Sequence, residues 1–167
     1  MLDEIKSALG LGEKKPLYMR PLKKRDVDAV LAIERQGYNY PWGKDIFADC
    51  LRVGYSNWAF IKDGRLIGYA ILSIAAGEAH ILNICIDPWC KGQGLGTHFL
   101  NEIIQTARSK KVGSIFLEVR ASNTAAIALY NKSDFKQLGQ RKNYYPAADG
   151  REDAIVFSLD ISADAQV

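Results

Sequence analysis

Three glycines at alternate positions, Gly92, Gly94 and Gly96, follow an apolar run that ends at Asp87-Pro88, and the pattern turns helical directly after them. Such a turn is suited to holding an anion. Gly94 and Gly96 carry no Cβ, so backbone N–H groups can approach a ligand closely, and a helix start adds unpaired donors and the positive end of its dipole. Phosphate is the guest that this chemistry fits. Hydrogen bonds to a charged group contribute roughly 1.5–3 kcal/mol each, so about four or five converging N–H groups would hold a pyrophosphate without any basic side chain. Two more positions stand out downstream. Glu118 lies inside the apolar run Ser114 to Arg120, where a carboxylate must be paired, solvated in a cleft, or shifted upward in pKa. Asn123, Ile127 and Tyr130 recur at i, i+4 and i+7, which puts Asn123 and Tyr130 on one helix face, roughly 10 Å apart along the axis.

A glycine cluster alone does not choose among phosphate-binding loops. The nucleotide-hydrolase P-loop needs a Lys-Ser/Thr pair after its last glycine, and Gly96 is followed by Thr97-His98. A dinucleotide fingerprint wants a third glycine where Thr97 stands, and a strand running straight into the turn, whereas Asp87-Pro88-Trp89-Cys90 intervenes. Glu118 sits about where that fingerprint places its ribose-binding acid, which keeps the dinucleotide reading open. The segment resembles the acyl-CoA loop of the GNAT superfamily of N-acetyltransferases, Gln/Arg-x-x-Gly-x-Gly/Ala after a strand ending in Asp-Pro. Lys91 departs from that pattern at its first position, and Gly92 stands where a basic residue is common.

The elements that must position these residues follow from periodicity. Leu2, Ile5, Ala8 and Leu9 at helical spacing, then Gly10 to Lys15, read as a short amphipathic helix and a joint outside the main fold. Leu17 to Leu22 reads as a strand, Lys24 to about Gln36 as a helix, and Lys44 to Val53 as a second helix. Between the helices, the aromatic turn Gly37 to Gly43 either recognises a peptide or closes the end of the core. Asn57 to Lys62 and Leu66 to Ile74 form a hairpin through Asp63-Gly64, and Glu78 to Ile86 is a third, apolar strand. After the glycine turn, Leu95, Phe99, Ile103 and Ala107 define the buried face of a helix ending near Lys110-Lys111. Ser114 to Arg120 is a strand of the kind that becomes parallel and buried after a helical crossover. Thr124 to Lys132 is a helix capped by Asn123. Phe135 to Arg141 and Ala154 to Leu159 complete the sheet, separated by a loop or hairpin, Asn143 to Asp153, dense in aromatic and charged residues. This order implies an α+β fold with a mixed sheet and helices on both faces. The division is an extension over 1–15, one domain over 16–160 and a tail over 161–167.

Composition excludes other classes. At 167 residues the chain suits one domain. Its apolar share of 48% and charged share of 25% are ordinary globular values, against disorder or a fibrous chain. A formal charge of +3 with interspersed signs gives no case for nucleic-acid binding. Cys50, Cys85 and Cys90 lack a Cys-x-x-Cys pair, so neither a zinc site nor a disulfide framework is expected, and free thiols in a reducing cytoplasm are. No histidine stands at plausible reach of Cys90 to make it a nucleophile. No run approaches the ~20 apolar residues that span a bilayer, and Met1-Leu2-Asp3-Glu4 lacks the basic start of a secretory signal. No membrane partner and no metal is expected.

The resemblance extends over about residues 17 to 160. Asn123-x-x-Ala126-x-x-Leu129-Tyr130 followed by Phe135 is similar to the second half of a GNAT enzyme, with Asp134 where glycine is usual. Leu117-Glu118-Val119-Arg120-Ala121-Ser122-Asn123 and Asn143-Tyr144-Tyr145-Pro146 with Asp149-Gly150-Arg151-Glu152-Asp153-Ala154 resemble the RimI type, the ribosomal-protein alanine N-acetyltransferases. Pro41-Trp42 fits that type's substrate loop. The resemblance implies a mostly antiparallel sheet of about seven strands, and acetyl-CoA as acetyl donor. It implies a general base at Glu118 and a general acid at Tyr130. Acetyl-CoA would be held by Ile84, Cys85, Ile86, Lys91, Gly92, Gln93, Gly94, Leu95, Gly96, Thr97 and Asn123. The acceptor, the N-terminus of a protein such as a ribosomal one, would meet Tyr40, Trp42, Tyr144, Tyr145, Asp149 and Glu152, whose acidic groups suit a basic tail. Acceptors of another kind, lysine or a small-molecule amine, and a catalytically silent CoA-binding module stay open at this point.

Overall fold

In the computed structural model, which describes residues 17–162, the sheet is the frame on which everything else is placed. The helix expected over residues 1–15 and the last five residues of the expected tail lie outside the described residues. Seven strands run in the order β1-β2-β3-β4-β5-β7-β6. They are β1 Tyr18–Pro21, β2 Ser56–Lys62, β3 Arg65–Ala75, β4 Glu78–Ile86, β5 Ser114–Arg120, β6 Lys136–Ala147 and β7 Gly150–Asp160. Among the described residues only the β4–β5 pair is parallel. Four α-helices among the described residues interleave: α1 Val27–Gly37, α2 Lys44–Arg52, α3 Leu95–Ser109 and α4 Thr124–Lys132. The architecture matches the expected mixed, mostly antiparallel α+β sheet of about seven strands.

Alternation along the central strands divides the core into two layers. Ala59, Ile61, Tyr69 and Ile71 pack with Val30, Leu31, Ile33 and Phe47 of α1 and α2 on one face. Phe60, Ala70 and Leu72 pack on the other, with Phe99, Leu100 and Ile103 of α3. Phe60 and Phe99 stack with ring centroids 4.3 Å apart and planes inclined by 6°. The helix faces were legible because α3 buries Leu95, Phe99, Ile103 and Ala107, the residues its periodicity marks. Arg20 and Asp26 tie β1 to the entry of α1 by a two-pronged pair at 2.7 and 2.9 Å. That guanidinium holds the Asp26 carboxyl below the usual carboxylate range against the opposing cost of burial.

Two local features shape the middle of the sheet. Leu82 is an extra residue in β4: Ile71 pairs with Asn83 and Leu72 with Ile81. Such a bulge bends its strand and re-aims the side chains beyond it. The parallel pairing of β4 with β5 stops at the same level, at Ile81 opposite Leu117. Beyond it the two strands part and leave a fork. The second feature is Gly68, where a Cβ would stand 2.6 Å from the Cys85 carbonyl oxygen and 2.8 Å from the Phe60 ring. Replacing Gly68 by Ala is therefore expected to destabilise the fold by about 1–3 kcal/mol through overpacking. A lower urea midpoint at unchanged slope is the expected reading, and an unchanged midpoint would mean that β3 and β4 separate at no cost.

One expectation resolves into a definite form. Asn143 to Asp153, read as either loop or hairpin, is a hairpin, with β6 running on to Ala147 and β7 starting at Gly150. The alternation fails because Lys142, Asn143 and Tyr144 stand opposite a single residue, Asp153, between the Arg141–Ala154 and Tyr145–Glu152 pairs. Side chains close this irregularity. Asn143 N–H donates to Asp153 Oδ1 at 2.9 Å, and Arg151 donates to the carbonyls of Asn143 and Tyr144 at 2.8 and 2.9 Å.

Candidate active site

The fork between β4 and β5 opens into a cavity of about 690 Å³. One wall is the end of β4, Ile84, Cys85 and Ile86; a second is the turn and first helical residues Lys91, Gly92, Gly94, Leu95 and Gly96; a third is Asn123 with α4. The glycine turn is held from behind. Asp87, 4% exposed, accepts from Arg65 at 2.9 Å and from the Trp89 N–H at 3.0 Å, so its carboxylate fixes the turn against the β2–β3 hairpin. Gly92 and Gly94 have φ of 77° and 72°, a region that side chains other than glycine's enter at a cost. Gly94 is the N-cap of α3 and supplies no side-chain cap, and the first intrahelical bond is His98 N–H to the Gly94 carbonyl at 3.2 Å. The N–H groups of Leu95, Gly96 and Thr97 precede that bond and are the donors a diphosphate would take. Gly96, on the same wall, has an ordinary φ, and a Cβ there would meet Leu129 at 3.4 Å, about van der Waals contact.

Two of the residues expected around the cofactor face elsewhere. Gln93 is off the cavity wall and accepts from Lys62 Nζ at 2.6 Å. Thr97 borders a separate hollow of about 390 Å³ with Asn101 and Lys132. Only their backbone groups are suitably placed in the turn.

Glu118 and Tyr130 come to this cavity from opposite layers. In β5, Ile115, Leu117 and Val119 are buried against the α3 layer, so Glu118 projects from the other face. Glu118 stands on the cavity wall and is paired. Arg141 Nε stands 2.8 Å from Glu118 Oε1. The Tyr144 phenol also hydrogen-bonds Glu118, and that bond raises the phenol's pKa. Tyr130 is 6% exposed and lies against Phe135 and Phe157, with centroids 5.7 and 5.9 Å away. Burial pushes its pKa well above the ordinary tyrosine value, with Tyr145 and Cys85 adding to the shift, so it carries its proton throughout the neutral range. A carboxylate and a protonated phenol thus face one space, an arrangement suited to taking a proton at one end and giving one at the other.

Of the residues expected around the acceptor, Tyr40, Trp42 and Tyr145 line the cavity. Tyr144 adjoins them edge-on to Tyr145 at 4.9 Å. Asp149 lies in the tight turn between β6 and β7, off the cavity wall, and Glu152 is likewise off it. Glu152 is taken up by Arg120 Nη1 at 2.8 Å and by the Ser122 N–H at 3.2 Å, so it is not a free acid waiting for a basic tail.

Sequence reasoning passed over three further lining residues. Glu34, 1% exposed, accepts from the Trp42 N–H at 2.9 Å, from Asn83 Nδ2 at 3.0 Å and from the Tyr69 hydroxyl. It thereby pins the turn after α1 to β3 and β4. Its signal was present: Glu34 continues the buried stripe of Val27, Val30 and Leu31, where an acid needs a reason. Tyr38 donates its hydroxyl to the Ile84 carbonyl and is raised well above the usual tyrosine pKa by burial. Arg120 lines the cavity against the rings of Tyr40 and Tyr145. Cys85, by contrast, is no nucleophile: burial pushes its thiol up to about 12, whereas reactivity requires the thiolate.

Comparison with known proteins agrees with this geometry. The sequence model of the acetyltransferase (GNAT) family matches residues 27–135. The chain is 40% identical over 141 residues to the [ribosomal protein bS18]-alanine N-acetyltransferase of Escherichia coli (strain K12), covering 84% of this chain and 95% of that one. It is 36% identical over 134 residues to the enzyme of the same name from Haemophilus influenzae (strain ATCC 51907 / DSM 11121 / KW20 / Rd), covering 80% and 91%. The crystal structure of the ribosomal-protein-S18-alanine N-acetyltransferase from Escherichia coli superimposes with a TM-score of 0.83 at 38% identity, over 88% of this chain and 95% of that one. With the forked sheet, the uncapped glycine turn and a sequence match over more than half its length, this chain belongs to the acetyltransferase (GNAT) family.

Proposed function

We propose that the chain moves an acetyl group from acetyl-CoA to the α-amino group of an N-terminal alanine on a ribosomal protein of the bS18 kind. The observation that carries this reading is the placement of Glu118 and Tyr130 on one cavity, between the glycine turn and the aromatic pair Tyr40 and Tyr145. The relatives at 36–40% identity, named for that activity, support the acceptor. The turn fits the donor, because the Leu95, Gly96 and Thr97 N–H groups are offered by an uncapped helix start. Acetyl-CoA supplies a thioester with an electrophilic carbonyl and a leaving thiolate.

The chain's own residues have two proton transfers to perform. An N-terminal amine has an unperturbed pKa near 7.7–8.0, so removing its proton near neutral pH is within reach of a carboxylate in a cleft. Glu118 takes that proton, directly or through a water. The freed nitrogen then forms the new amide bond as the carbon–sulfur bond breaks; Tyr130 gives its hydroxyl proton to the departing sulfur, and the second proton shed by the nitrogen returns to the phenol through water. Direct attack requires no covalent enzyme intermediate. Ile84, Cys85, Ile86, Lys91, Gly92, Gly94 and Asn123 would border the donor, and Tyr40, Trp42, Tyr144 and Tyr145 the acceptor. Residues 16–160 form the acetyltransferase domain in this reading. Among the described residues no helix is long and apolar enough to cross a membrane, and the place of action we infer is the cytoplasm.

Thiol release and mass spectrometry with acetyl-CoA and short peptides beginning Ala, Ser, Met or Gly test the proposal. Acetylation of the α-amine with preference for small first residues is expected. Modification of lysine side chains alone, or binding of acetyl-CoA with no turnover on any peptide, would overturn it.

A further inference from the structure

Resting on the N-terminal acceptor reading above, we propose that Arg120 sets the size limit for the acceptor's first residue by pinning two aromatic side chains of the cavity wall. Arg120 ends β5, two residues beyond Glu118 and on the same face. Its guanidinium lies 4.5 Å from the centroid of the Tyr145 ring and 5.1 Å from that of Tyr40. Nη1 also donates to the Pro146 carbonyl at 2.6 Å and to Glu152 Oε1 at 2.8 Å. Glu152 is itself anchored by the Ser122 N–H, and the guanidinium holds its carboxyl below the usual range.

These contacts join parts of the molecule that the sheet does not. Tyr40 belongs to the connection between α1 and α2, and Tyr145 and Pro146 to β6. Among the described residues that connection has no strand pairing with the β6–β7 hairpin. Arg120 bridges them. A guanidinium suits the task because its plane can lie against two aromatic faces while its edge donates to a carboxylate and a carbonyl, which an ammonium cannot reproduce. Since Glu118, Tyr40 and Tyr145 line the same cavity, an acceptor reaching Glu118 passes these walls. Walls held at fixed separation admit a methyl side chain and exclude a longer one. Apolar packing of this kind discriminates by about 10–200-fold per methylene.

The test is the ratio of kcat/KM for two peptides that differ only in beginning with Ala or Met, in wild type, Arg120→Lys and Tyr40→Ala. A fall of at least about tenfold in the Ala-to-Met ratio is expected in both variants. In Arg120→Lys it should arise mainly from a lowered KM for the Met peptide, with KM for acetyl-CoA within about twofold of wild type. Arg120→Lys keeps the charge, and Tyr40 is 45% exposed, so neither variant depends on rebuilding the core. A parallel fall for both peptides at constant ratio would make Arg120 a stability residue and overturn the inference. Wild-type preference for Ala that survives both substitutions removes the inference alone, whereas absence of α-amine acetylation in wild type removes the N-terminal reading and this one together.

Discussion

Replacing Glu118 with Gln is expected to lower kcat/KM for an Ala-initiated peptide by about 10²–10⁴-fold, the range a positioned general base contributes. Acetyl-CoA affinity should stay near wild type, because Glu118 projects from the face of β5 opposite the α3 layer. The fold should also hold. The Glu118 and Arg141 side chains are 27% and 58% exposed, and pairs of that kind contribute roughly 0.2–1 kcal/mol. Gln keeps the shape and can still accept from Arg141 and Tyr144, while losing the charge that takes the proton. Pre-steady-state thiol release together with equilibrium binding of acetyl-CoA separates these effects. Turnover equal to wild type would remove Glu118 from the reaction.

Tyr130→Phe carries the second large effect. The ring keeps its packing against Phe135 and Phe157 and loses only the hydroxyl, so a fall in kcat of at least about 10²-fold is expected with little change in KM for the peptide. The same substitution has a consequence for stability that is independent of turnover. Burial raises the Tyr130 and Tyr69 phenols above the value of about 10 they take in the unfolded chain. Their contribution is therefore complete below about pH 10 and is lost as pH rises above it, because there the unfolded chain releases protons that the folded one keeps. The loss approaches about 1.4 kcal/mol per pH unit for each such phenol. Wild type should thus lose stability steeply above pH 10, and Tyr130→Phe less steeply, in chemical denaturation followed across pH. Identical alkaline profiles with unchanged kcat would show that the hydroxyl is neither buried nor used.

Much of the frame was readable from local pattern. Glu78–Ile86, Ser114–Arg120 and Thr124–Lys132 have the bounds their periodicity predicts. Asp63-Gly64 turns as its composition demands, with φ of 50° and 76°. The N-cap of Asn123 is made, its side chain accepting from the Ala126 N–H at 3.1 Å. What escaped were features in which residues far apart in the chain satisfy one another. Loop or hairpin stayed open for Asn143 to Asp153, because the pairing there runs through an irregularity closed by Arg151 and Asp153. Asp149 and Glu152 looked like acids for a basic acceptor, yet Glu152 is held by Arg120.

By itself the sequence determined the elements, the glycine turn with its helix start, and the residue types able to move protons, since all of these rest on interactions within a few residues. The tertiary structure alone decided that β4 bulges at Leu82 and leaves β5 after Ile81, so that Glu118 and Tyr130, from opposite layers of the sheet, meet at one cavity. It also decided that Arg141 pairs with Glu118 and that Arg120 spans Tyr40 and Tyr145. The reason is physical: a buried or half-buried charge takes whichever partner the folded chain brings within hydrogen-bonding reach, and that partner is chosen by strand order and register.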